Sequence, residues 1–370
     1  MPTMTSPTRD QFIEKAKQGN LIPVWREVLA DMETPVSAFR KIAGGRPNSF
    51  LLESVEGGER LARYSFLGSD PFMVFRSKSD TATITEGAQV ETLTLAAGER
   101  DPLHVLQELL GRYTYVPSPE LPPFVGGAVG MIGYDTVRFF EKLPTLAVDD
   151  LGLDDCLFLF TDALLIFDNV KHKILALCNA RIAPGEDAGA AYDTAAEKVG
   201  ELLGRLRAAP PAPNSAPQES RAGEAFVPNR TEVDYKAAVL RAKEYIAAGD
   251  TFQAQIGQRL SKTLHADPFD VYRALRSINP SPYMFYLDLG TPSWWARRRR
   301  FSSASAAARS PSGPSPGHGT GAARRLLRMT PSLPTCSPTR RSGPSTLCWW
   351  TWPATTSDGS PSTAQSALMS

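Results

Sequence analysis

The sequence predicts an α+β fold in which large antiparallel sheets carry flanking helices. Three observations predict it. Short apolar runs divided by Gly, Asp and Ser recur between residues 49 and 86 at the lengths of strands. Capped helical patterns stand among them without the regular strand–helix–strand alternation that a parallel sheet requires. Both signals stop at Gly290, and the remaining residues, 291–370, contain no Lys, Glu, Ile, Val, Tyr or Asn.

The elements follow in order. A polar lead-in with one short helix near 11–17 precedes a strand at 21–25. Residues 34–42 form a helix, with Thr34 as N-cap and Pro35 in the first turn, where its missing N–H costs nothing. Strands are expected at 49–55, 63–68, 73–76 and 81–86, then a helix at 102–113 and a glycine-rich apolar stretch at 124–134. Apolar strands at 156–168 and 173–179 flank a turn at 169–172, which suggests a hairpin. An Ala-rich charged helix spans 185–208. After it, Thr231 and Asp234 open a helix whose Val233, Ala237 and Leu240 share a face, and Gly249 ends it. A strand at 251–260, a helix at 268–277 and a strand at 283–287 complete the series.

Composition divides the chain into a lead-in (1–19), a first domain (20–208), a linker (209–223, APPAPNSAPQESRAG), the start of a second domain (224–290) and a tail (291–370). Residues 1–290 carry 30 Lys+Arg against 38 Asp+Glu, whereas the tail carries ten Arg against one acid, Asp358. Arginine without lysine, among Trp, Ser and Pro, is not the composition of a nucleic-acid arm, so no nucleic-acid partner is expected. The longest apolar run, LFLFTDALLIF (157–167), is broken by Asp162 and too short to span a bilayer, and residues 1–20 have no apolar run of the kind a signal peptide needs. Cys156, Cys178, Cys336 and Cys348 make no CxxC pair, and His104, His172, His265 and His318 stand in unrelated contexts suited to capping or solvation. A reduced, cytoplasmic protein is expected.

Four segments offer chemistry. In LLESVEGGERLARYSFLG (51–68), Glu53 and Ser54 close one strand and Arg63 opens the next, so carboxylate and hydroxyl oxygens could face an ammonium group. On spacing alone, an ordinary hairpin with a solvated rim accounts for it better. VGGAVGMIGYD (125–135) fits neither a P-loop nor GxGxxG, and its glycines read as close backbone approach. In GDTFQAQIGQRL (249–260), Gln253, Gln255 and Gln258 alternate, so buried amides would need partners and could line a pocket. NPSPYMFYLDLG (279–290) is a proline-fixed loop feeding a strand, by itself a structural corner.

Taken together, and in this order and spacing, the four segments resemble the chorismate-utilising enzymes, and within them component I of anthranilate synthase. The resemblance covers residues from about 20 to 290. It implies that family's α+β fold, incomplete here, and conversion of chorismate and ammonia (or glutamine) to anthranilate and pyruvate in tryptophan biosynthesis. It also implies Mg2+ as cofactor, a glutamine amidotransferase component II as partner, and L-tryptophan as feedback inhibitor. The inhibitor site it implies has Glu53, Ser54 and Arg63 on one wall and Pro282, Tyr283 and Met284 on the other. Polar groups would fix the zwitterion while Tyr283 and Met284 offer polarizable surface to an indole. Aminodeoxychorismate synthase component I is similar, although the SPYM wording favours the anthranilate branch; a non-catalytic tryptophan-binding fragment is the other alternative. The family's metal-binding glutamates and acid–base groups lie beyond the position of Gly290, so no catalytic and no metal-ligating residue is assigned to this chain.

The tail reads as the family's message in the wrong frame. The family continues with a strand ending in an LVGASPE-like motif. Rereading Trp294-Trp295-Ala296 from each third base forces Val-Gly, and rereading 348–353 forces Leu-Val-Asp, then Leu, Met or Val, then Ala. A frameshift near Gly290 explains both. With ten prolines and no β-branched residue except threonine, residues 291–370 are predicted to be disordered and the chain to be inactive alone.

Overall fold

The computed structural model describes residues 4–54, 63–209, 225–281 and 283–290, together with the backbone of 293–297. Helix α1 (Arg9–Lys15), strand β1 (Leu21–Leu29) and helix α2 (Pro35–Ala43) lead into β2 (Ser49–Glu53), β3 (Tyr64–Gly68), β4 (Met73–Lys78), β5 (Thr81–Glu86) and β6 (Gln89–Thr94). Next come α3 (Pro102–Gly111), β7 (Gly127–Ile132), a 3-10 turn (Tyr134–Phe139), β8 (Cys156–Thr161), β9 (Ala163–Asp168), β10 (Lys173–Arg181) and α4 (Ala188–Arg207). Beyond the linker lie β11 (Val227–Pro228), α5 (Glu232–Ala248), β12 (Leu260–Ser261), α6 (Pro268–Ile278), β13 (Met284–Asp288) and β14 (Ser293–Arg297). The linker's residues 210–224 lie outside the described residues.

The strands form a seven-stranded sheet, ordered β1-β10-β9-β3-β2-β13-β14, and a five-stranded sheet, ordered β6-β5-β4-β8-β7. Every pairing in both is antiparallel. The α+β expectation therefore holds. Three cores stack through the molecule. Helices α1, α2, α4 and α6 cover one face of the larger sheet through Phe12, Phe39, Ile42, Val199, Leu203 and Tyr272. Between the sheets lie Trp25, Phe50, Val129, Leu157, Leu159, Ile166, Leu175 and Leu177. Helix α3 closes the smaller sheet's outer face through Val105, Leu106 and Leu109.

Because both faces of the larger sheet are covered, β10 is apolar almost throughout: Ile174, Ala176 and Cys178 face the helices, while Leu175 and Leu177 face the other sheet. Helix α2 starts as its sequence predicts, with Thr34 and Ser37 forming a reciprocal capping box, and ends on Gly44 at φ 57°. Such a cap contributes about 1 kcal/mol. Gly130 is required by packing, since a Cβ there would lie 1.8 Å from the Leu157 carbonyl oxygen on β8. His104 shares the capping box of α3 with Asp101.

Several expectations need correction. The stretch 156–168 is two strands in different sheets, β8 and β9, joined by the single residue Asp162. Asp162 is 4% exposed, and its Oδ2 accepts from Lys198 Nζ at 2.9 Å. Strand β6 is almost entirely exposed, so it lacks the apolar signal that would announce it. Residues 251–260 do not form a strand apart from the start of β12; of the amides expected to face inward, Gln253 and Gln255 are exposed and Gln258 is half-buried. Helix α5 has the predicted caps, Thr231 and Gly249, yet buries no residue, and Val233 and Leu240 are 76% and 61% exposed. Order also continues past Gly290: β14 pairs with β13 from Ser293↔Asp288 to Arg297↔Met284, where the resemblance expects the next strand. The other residues of the expected disordered tail, 291–292 and 298–370, lie outside the described residues.

Candidate functional site

Strand β2 ends on Glu53, and β13 begins opposite it with Met284, because the two pair from Ser49↔Asp288 to Glu53↔Met284. Directly opposed residues of an antiparallel pair share a face. Here that is the helix face, where Met284 belongs to the core with Tyr272 and Tyr286. The Glu53 carboxylate therefore sits beneath α6, in a residue only 5% exposed. A buried carboxylate without partners is unstable by several kcal/mol, and α6 supplies the partners. The Tyr272 hydroxyl donates to Oε2 at 2.6 Å, and Arg276 Nε donates to Oε2 at 3.0 Å and to Oε1 at 3.2 Å.

Tyr272 and Arg276 stand four residues apart, hence on one face of the helix. Burial above all, then the Glu53 charge and hydrogen bond, push the Tyr272 phenol well above its ordinary value, so it stays a hydrogen-bond donor. Aromatic contacts fix the start of α6: Phe269 lies 4.9 Å from Phe39 of α2 and 5.1 Å from Tyr286 of β13, centroid to centroid. Neither Tyr272 nor Arg276 was anticipated from the sequence. The available signal was their spacing within PFDVYRALRSI, which places a phenol and a guanidinium one above the other.

The other residues of the expected site divide. Ser54 follows Glu53 directly, and its Oγ is buried without a hydrogen-bond partner among the described residues. Tyr283 is half-buried, and its backbone N–H donates to Ser281 Oγ at 3.3 Å. Met284 is 2% exposed, enclosed in the core and presenting almost no open surface. Pro282 lies outside the described residues, as do 55–62 between Ser54 and Arg63. Arg63 is engaged elsewhere: its Nη2 lies 2.9 Å from Asp168 Oδ2, and its guanidinium carbon lies 4.8 Å from the Tyr64 ring centroid. The structure thus brings Glu53, Ser54 and Met284 together and turns Arg63 to an acid on β9. A carboxylate of this kind suits a ligand that donates hydrogen bonds, as an ammonium group does, and Ser54, next in the chain, carries a hydroxyl without a described partner.

A cavity of about 540 Å³ lies at the opposite end of the larger sheet, lined by Arg112, Asp162, Asn179, Arg181 and Lys198 among others. Its charges largely answer one another, since Asp162 pairs with both Lys198 and Arg181. Among the described residues no three His, Cys, Asp or Glu side chains gather as a metal site would require. The described residues therefore do not fit the Mg2+ that the resemblance implies.

The family described as chorismate binding enzyme matches residues 48–305. The anthranilate synthase component 1 of Acetivibrio thermocellus is 40% identical over 293 residues, covering 78% of this chain and 58% of that protein. The anthranilate synthase component 1 of Thermus thermophilus is 44% identical over 272 residues, covering 72% of this chain and 54% of that protein. The crystal structure of anthranilate synthase component I from Streptococcus pneumoniae TIGR4 aligns with a TM-score of 0.48 at 26% identity, covering 71% of this chain and 55% of that one. The chain spans little more than half the length of these curated relatives.

Proposed function

The chain belongs to the family of chorismate-binding enzymes, and on that premise we propose that it carries the amino-terminal part of an anthranilate synthase component I. The whole activity would form anthranilate and pyruvate from chorismate and ammonia, in tryptophan biosynthesis. The observation that carries this reading is the 40–44% identity to relatives bearing that name, together with a family match whose span, 48–305, includes residues on both sides of the linker. In this reading component II, a glutamine amidotransferase, supplies the ammonia, Mg2+ is held by glutamates that this chain lacks, and the protein is cytoplasmic. Among the described residues no helix is long and apolar enough to cross a membrane.

The same reading makes the end of β2 the L-tryptophan site, with Glu53, Ser54, Tyr283 and Met284 beside Pro282, and Arg63 at its edge. Support comes from the pairing of Glu53 with Met284 and from the unpartnered Ser54 hydroxyl. The division into 20–208 and 224–290 is kept as an organisation of sequence, because β13 of the second segment sits inside the larger sheet. Catalysis is assigned to residues the gene encodes beyond Gly290 in the shifted frame.

Restoring that frame tests the function. The purified repaired protein should release fluorescent anthranilate from chorismate and an ammonium salt, while the chain as it stands should not. Release of aminodeoxychorismate by the repaired protein would assign the sister activity instead, and turnover by the present chain would overturn the frame argument.

A further inference from the structure

We propose that Arg276 is a displaceable plug on the Glu53 carboxylate: the ammonium group of an amino-acid ligand takes its place, and the exchange releases the last turn of α6 from β2. This rests on the reading of Glu53 and Ser54 as an amino-acid site and adds how occupancy of that site is felt elsewhere in the molecule.

The two partners of Glu53 differ in a way that assigns them separate roles. Tyr272 is 0% exposed and sits among Phe269 and Tyr286, with centroid distances of 5.8 Å to each. Were it to leave Glu53, its hydroxyl would become an orphan in an apolar core. Arg276 is the opposite case. Its side chain is 35% exposed, and it reaches both carboxylate oxygens through Nε rather than through the parallel fork that makes arginine–carboxylate pairs strongest. Its charge can return to water when it lets go. A ligand ammonium that replaces it keeps the buried carboxylate paired with one cation and one phenol. Ser54, the next residue along the chain, adds a buried hydroxyl without a described partner.

The consequence for α6 follows from where Arg276 stands. It lies two residues before the end of the helix at Ile278, and β13 begins at Met284, the register partner of Glu53. Helix end and strand start thus meet at one carboxylate. The aromatic contacts of Phe269 and Tyr272 hold the first turns of α6 whether or not Arg276 is engaged. Displacement therefore loosens the last turn of α6 while its first turns stay docked.

The full chain is tested with two probes, L-tryptophan and indole-3-propionate, which share an indole and a carboxylate but differ in the ammonium group. By calorimetry, Arg276→Met should bind L-tryptophan several-fold more tightly than the unmodified chain and leave indole-3-propionate unchanged. Glu53→Gln should bind the two probes alike. Hydrogen exchange supplies the second readout. Amides at 275–281 should exchange faster when L-tryptophan is added, and should be fast from the outset in Arg276→Met, while those of β10 stay protected as a check on folding. Unchanged or weaker L-tryptophan binding by Arg276→Met, or slower exchange at 275–281 on binding, overturns the plug and leaves the site standing. Absence of L-tryptophan binding by both the unmodified chain and Arg276→Met removes the amino-acid site itself, and the plug with it.

Discussion

Asp168 shows how single residues set the chemistry at the end of the larger sheet. Its burial pushes the carboxyl up, but the Arg63 guanidinium and the N–H groups of Val170 and Lys171 outweigh that and hold it below its ordinary value of 3.8. Since the folded form has the lower pKa, its stabilising contribution is complete above the unfolded value and is lost as pH falls through the folded one. Urea midpoints of the unmodified chain and Asp168→Asn should accordingly lie apart at about pH 6 and converge towards about pH 2. A gap that stayed constant with pH would show that the carboxylate charge is not what matters. At this scale the sequence conveyed Glu53 and Ser54 as a pair of oxygens, but not which cation each acid would meet. Arg63 is near Glu53 in sequence yet pairs with Asp168, whereas Arg276 meets Glu53 across 223 positions. Spacing along the chain carries no information about such long-range choices.

Helices α4 and α5 contain similar residues in opposite circumstances. In α4, Ala191, Ala195, Val199, Leu202, Leu203 and Leu206 form a stripe buried against β10 and β1. In α5, Val233, Leu240 and Ile246 are all exposed. Leu203→Ala should therefore cost about 2–5 kcal/mol, and Leu240→Ala no more than about 0.5 kcal/mol, both read from denaturant curves. A large loss at Leu240 would mean that α5 is covered in solution. Local signals disclosed both helices, an Ala-rich charged pattern for α4 and caps with periodicity for α5, and the N-caps read at Thr34 and Thr231 each accept the N–H bond expected of them. What periodicity could not disclose is whether an apolar face finds a partner. The strand expected at 251–260 failed for the same reason, since a pleated segment needs a neighbour along its length and only Leu260 and Ser261 have one in β11. The run 156–168 misled differently: both strands are buried on both faces, so nothing but Asp162 marked the change of sheet.

Across the whole molecule, protection should follow the three cores. Amides of β9 and β10, each paired on both sides within the larger sheet and buried almost throughout, should exchange only on global unfolding, and those of 227–261, largely exposed, through local opening. Equal protection in the two regions would contradict this ranking. The single residue Asp162 that carries the chain from β8 into β9 has a mechanical corollary. With no slack at that corner, tension applied to one sheet passes along covalent bonds into the other.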